Sequence, residues 1–150
     1  MDKMVDPRTW LEVIPLDECW ELLAGERVAR LAVVVDQRPE IFPVNSAVTE
    51  ERTVVFRTAE GTKLESLGDV PDVALEVDGT DEPASGPPSG WSVLIAGSAR
   101  HVRDAESVRR FEGLDLIPWA PGHKSVWVEI RPRSVSGRRI NPPAGEEAGS

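Results

Sequence analysis

The chain has 150 residues, 40% hydrophobic and 29% charged, with a formal net charge of −9 and a pI near 4.7. This length suits a single domain able to bury a core without disulfides or metals. The acidity disfavours sequence-independent nucleic-acid binding and attraction to anionic membranes, both of which draw on clustered Lys and Arg. The single cysteine, Cys19, excludes an internal disulfide and a cysteine-rich zinc site. No N-terminal apolar run resembles a signal peptide or a membrane span, so the cytoplasm is the expected compartment.

Residues 1–14 are mixed and read as a partly mobile arm. From Pro15 to Gly25 the spacing predicts a short helix. Leu16, Cys19, Trp20 and Leu23 share one face, Asp17 and Glu18 suit its positive start, and Gly25 suits its end. Cys19 is thereby a core residue. Val28–Val35 reads as a strand apolar on both faces, with a turn at 36–39. A second strand covers Glu40–Val48, with Pro43 as a break in its ladder. Thr53–Thr58 reads as a third strand. Val73–Asp78 alternates cleanly, Trp91–Arg103 is a long strand with a bulge expected at Gly97, and Val126–Ile130 and Val135–Ile140 complete the set. Short helices fit Thr62–Leu67 and Ala105–Phe111, the latter with Asp104 as N-cap. The Pro-, Gly- and acid-rich stretch Gly79–Gly90 reads as a loop, and 141–150 as a disordered tail. Many short strands with few helices point to a mainly β fold, an antiparallel barrel in one domain spanning 1–140.

The run Phe56-Arg57-Thr58-Ala59-Glu60-Gly61-Thr62-Lys63-Leu64 carries the clearest chemistry. It ends a strand, turns at a glycine and opens a helix. Free backbone amides at a helix start, two threonine hydroxyls and two cations can hold a phosphate. The same run also reads as an ordinary strand–turn–helix connection with solvated basic residues, and the run alone leaves both readings open. Trp91 and Trp119 lie near loops, where an indole either stacks on a planar ligand or plugs a barrel end. His101 and His123 form no hydrolase triad signature, and no GxGxxG opens a helix after a strand. Asp78, Asp81 and Glu82 read as solvated loop acids. A phosphate cradle without an evident acid, base or nucleophile suits a cofactor whose own ring does the chemistry.

The order of these segments resembles the pyridoxamine 5′-phosphate oxidase-like family of flavin-binding split barrels. The resemblance is carried by Arg30-Leu31-Ala32, Phe42-Pro43-Val44-Asn45, Val55 to Leu64, Val73 to Asp78, Gly90 to Gly97 and Val135 to Ile140. It implies a split barrel of antiparallel Greek-key type with FMN bound. Pro43, Val44 and Asn45 would line the ring, and Phe56, Arg57 and Thr58 would run along the ring and ribityl chain. Gly61, Thr62 and Lys63 would hold the phosphate, with Trp91 and Ser92 approaching from a second subunit. A homodimer with cofactor at its interface, acting on a small molecule by flavin-mediated hydride or electron transfer, follows from the same resemblance. Related members use the deazaflavin F420 in place of FMN, and the motifs here do not separate the two. A non-catalytic protein that holds flavin or another planar ligand is the alternative from outside the enzymes. Thr62 stands where the family often carries a basic residue.

Overall fold

The structure, a computed structural model, describes residues 5–6, 11–114, 116 and 125–140. In chain order the elements are β1 (Val5–Asp6), β2 (Leu11–Val13), α1 (Leu16–Gly25), β3 (Val28–Val35), β4 (Arg38–Val48), β5 (Val54–Ala59), α2 (Lys63–Ser66), β6 (Val70–Asp81), β7 (Ser89–Val102), α3 (Ala105–Glu112) and β8 (Ser125–Ile140). The sheet order is β1-β2-β8-β5-β4-β3-β6-β7, and β8 also pairs with β7. That extra pairing closes six strands into an antiparallel barrel. Within it β6 returns beside β3, giving the spatial order β6-β3-β4-β5 of a Greek key. The expected mainly β split barrel is the fold observed.

Most elements lie where the spacing puts them. β3 and β4 meet at a tight turn in which Asp36 and Gln37 both take positive φ, the twist that suits a two-residue hairpin. Asp104 caps α3 by accepting from the Ser107 amide at 2.9 Å, and hydrogen bonding from the Ser107 side chain first, and from this amide second, lowers its pKa. The expected bulge at Gly97 is present, as a register shift between Ala96 and Gly97 against β8.

Three expectations change. Pro43 does not interrupt the β3 ladder, where it stands opposite Arg30. The break falls on the other edge, because β5 pairs with β4 only over Ser46–Val48. The two C-terminal strands are one, β8, which pairs with β5 over Ser125–Ile130 and with β2 over Arg138–Ile140. Finally, the stretch Gly79–Gly90 is partly strand: Gly79 faces Trp91 and Asp81 faces Ser89. A Cβ on Gly79 would lie 2.6 Å from the Trp91 indole, so the missing side chain makes room for the ring. The indole is core, packed with Leu75, Val77, Val93 and Ile95.

α1 closes one side of the barrel with Cys19, Trp20 and Leu23. Leu16 is exposed, and Ile14 takes the core place expected for it. Of the first 14 residues, 5–6 and 11–13 are strands. The tail 141–150, Trp119 and His123 lie outside the described residues. A second cluster of Val55, Val102, Phe111 and Trp127 sits beneath α3 on the outer wall.

β8 can close the barrel only by passing tightly over Gly97. A Cβ there would meet the Arg131 carbonyl oxygen at 2.1 Å, a backbone atom that cannot move aside cheaply. Gly97→Ala is expected to cost at least about 2 kcal/mol of unfolding free energy. A urea midpoint equal to the wild type's would contradict this account of closure.

Candidate functional site

Strand alternation divides the candidate residues between the two faces of the wall. Val44, Phe56, Thr58 and Trp91 point inward and are buried, Phe56 completely. Such side chains complete the barrel, and a ligand on the outer wall would meet only their backbone. Pro43, Asn45, Arg57 and Ser92 point outward, Pro43 exposed and the other three half-buried. Arg57 lies across Trp127, with its guanidinium carbon 5.0 Å from the ring centroid, a geometry suited to a cation–π contact.

Gly61, Thr62 and Lys63 form the β5–α2 turn at the end of the barrel. Gly61 has φ +84°, a conformation side chains rarely adopt, and nothing lies within 4 Å of where its Cβ would be. Thr62 is the N-cap of α2 and accepts from the Glu65 amide at 3.2 Å. Its own hydroxyl donates to the Ala59 carbonyl at 2.8 Å. The Thr58 hydroxyl, 3.1 Å from that of Thr62, is therefore the donor of that pair. Both hydroxyl protons expected to serve a phosphate are thus used inside the turn.

Two further donors of the turn carry anions already. The Gly61 amide donates to Glu65 Oε2 at 3.2 Å, and Lys63 Nζ is paired with the Glu40 carboxylate. The turn thus accepts anionic oxygen, here from two carboxylates of the chain. Thr62-Lys63-Leu64-Glu65 has the spacing of a capping box, so Glu65 was open to recognition from the sequence. Glu40 arrives from β4, 23 residues earlier, and no local pattern announces it. One of its oxygens, Oε2, is buried without a hydrogen-bond partner.

Ser92 and Trp91 do not join these groups within one subunit. β3 and β6 lie between β4 and β7, a separation of roughly 14 Å at the usual strand spacing. The intervening wall carries a cluster absent from the sequence reading. Arg30 Nη1 lies 3.2 Å from Glu76 Oε1 and 3.3 Å from Asp78 Oδ2. Around it runs an apolar row in register: Ile41 beside Ala32, Ala32 beside Ala74, Ala74 beside Ala96. Val34 and Ile41 are 67% and 68% exposed, and Leu94 is 46% exposed. A separate groove of about 270 Å³, lined by Thr49, Glu51, Arg110, Phe111 and Leu114, lies near the start of β5 and includes none of the candidate residues. Among the described residues no group of three His, Cys, Asp or Glu side chains could hold a metal ion, and no helix is long and apolar enough to cross a membrane. Cys19 is buried, its thiol pushed up chiefly by desolvation, as befits a packing residue.

The sequence profile described as pyridoxamine 5′-phosphate oxidase matches residues 15–139, nearly the whole barrel. The chain belongs to that family. Its relatives include an uncharacterized protein of Mycobacterium tuberculosis, 34% identical over 92% of each chain. Among solved structures, an FAD-binding protein from Mycobacterium smegmatis superposes with a TM-score of 0.72 and is 39% identical, over 86% of this chain and 99% of that one. A conserved protein of unknown function from Corynebacterium diphtheriae superposes with a TM-score of 0.75 at 39% identity, over 91% and 100%.

In this family member the outer-wall carboxylates give a pH signature. Burial, then a hydrogen bond and charge from Asp78, raise the Glu76 pKa, against the lowering effect of Arg30. The folded protein then holds that proton more tightly than the unfolded chain does. The Glu76 contribution is complete below the ordinary glutamate range, about 4.3, and is lost as pH rises through the raised value. Melting temperatures of wild type and Glu76→Gln are expected to diverge over that window, with the wild type losing ground as pH rises. Parallel profiles would contradict it.

Proposed function

We propose that this protein binds a flavin nucleotide and uses it as an oxidoreductase on a small molecule. The observation that carries the reading is the β5–α2 turn, whose Gly61 amide and Lys63 ammonium already hold anionic oxygens. Family membership and a 39% identical FAD-binding relative support it. FMN is the cofactor the resemblance implies, the M. smegmatis relative adds FAD, and F420 remains the deazaflavin alternative. All three carry a phosphate that the turn would receive.

Lys63 and the Gly61 amide would take the phosphate, with Thr62 fixing the turn rather than donating. Pro43 and Asn45, outward on β4, would form the wall against which the ring lies. The backbone of Phe56 and the side chain of Arg57 would flank the connecting chain. A bound flavin supplies hydride or electron transfer. The residues here orient it and exclude water.

A homodimer completes the arrangement. Trp91 and Ser92 stand too far from Asn45 to share one ligand in the same subunit, and a partner copy would bring the outer face of its β7 across. The exposed row of Ile41, Ala32, Ala74, Ala96 and Leu94 is the surface such a partner would cover. The lone buried cysteine suits the reducing cytoplasm.

Titration of purified protein with FMN and FAD, followed by flavin fluorescence, is expected to saturate. Lys63→Ala is expected to weaken FMN binding roughly tenfold, the loss of a charge-assisted bond of about 1.5 kcal/mol, with riboflavin binding unchanged. Absence of saturable flavin binding would refute the reading. For the dimer, Ile41→Asp should shift sedimentation equilibrium toward monomer, and a variant that sediments like the wild type would remove this surface from the interface.

A further inference from the structure

The two donors assigned to the phosphate are each closed by a carboxylate of the chain itself. Glu65 Oε2 sits on the Gly61 amide. Glu40 holds Lys63, and its second oxygen is buried without a partner. If Lys63 turned to a phosphate, Glu40 would lose its hydrogen-bonded counter-ion and keep a partly buried charge, an unfavourable state for a carboxylate. If a phosphate took the Gly61 amide, Glu65 would lose that hydrogen bond and be repelled by the incoming negative charge. The closing groups come from two elements, β4 and α2, and both carboxylates belong to partly exposed side chains outside the barrel core.

We propose that Glu40 and Glu65 are built-in competitors that set the affinity and selectivity of this site for the phosphate of a flavin nucleotide. The inference rests on the flavin reading of the same turn. The phosphate-bearing ligand displaces both carboxylates, and the site stays closed to weaker anions that cannot. Because the competition concerns only the phosphate, it acts on FMN and FAD and leaves phosphate-free riboflavin alone. Charge on these two side chains thereby tunes how fully the protein is loaded at a given cofactor concentration.

Glu40→Gln and Glu65→Gln test this, since glutamine keeps the side-chain shape and an accepting oxygen while removing the charge. Each is titrated with FMN, FAD and riboflavin beside the wild type and Lys63→Ala, with melting temperature as the check on folding. Tighter FMN and FAD binding by about two- to fivefold in each variant, the range an exposed ion pair spans, with riboflavin unmoved, is the expected result. Unchanged or weaker FMN binding in both variants, while Lys63→Ala still weakens FMN, would overturn the competition and leave the flavin site standing. Equal tightening of riboflavin would also overturn it, because the effect would then lie away from the phosphate. No flavin binding by the wild type or either variant would overturn the flavin reading and this inference together.

Discussion

The passage of β8 over Gly97 is the constraint on which the rest of the structure depends. β8 is shared: its first half completes the barrel against β5, its second half leaves to meet β2, and its other edge runs along β7 throughout. The change of partner falls near the register shift opposite Gly97, where the Arg131 carbonyl occupies the space of a side chain. Closure there removes two sheet edges at once, and it fixes which face of every strand looks inward. Glu129, buried on β8, fastens the same region: Arg100 of β7 donates to its Oε1 at 2.8 and 2.9 Å, and Thr53 donates to its Oε2 at 2.8 Å.

Once the faces are fixed, the chemistry is sorted. Phe56 and Thr58 are committed to the interior, while Arg57 between them is left on the wall. Pro43 and Asn45 are outward and Val44 is not. α2 caps the open end, with Leu64 and Leu67 lining a void of about 10 Å³ above Leu31, Phe56 and Val128. The turn that begins α2 is thus held from below by the core, which makes it a firm place for an anion. Its unusual property is that its own acids fill it.

Much of this was legible from the residues. Apolar alternation in Val73–Asp78, the β-branched run Val28–Val35 and the Asp104 cap all gave the elements found, because each is a local signal. What was missed was non-local. The union of the last two strands depends on β7 running alongside both. The strand character of Gly79 depends on an indole 12 positions away. Thr58 and Thr62 were read as donors to a ligand, and only the fold reveals that the Thr58 proton is spent on Thr62 and the Thr62 proton on the Ala59 carbonyl. Glu65 was within reach as a capping box. Glu40 and the Arg30–Glu76–Asp78 cluster were not, since each is assembled across strands. The family resemblance rested on the joint order of short motifs and pointed to this turn, but it is silent about the acids that close it.

A crystal structure of the protein grown with FMN or FAD would test the central claim most directly. The account predicts a dimer with the flavin phosphate on the Gly61 amide and Lys63 Nζ, the Glu40 and Glu65 carboxylates displaced, and the ring between the Pro43–Asn45 wall and the partner's β7. A flavin seated elsewhere, with Lys63 still on Glu40 and Glu65 still on Gly61, would contradict it.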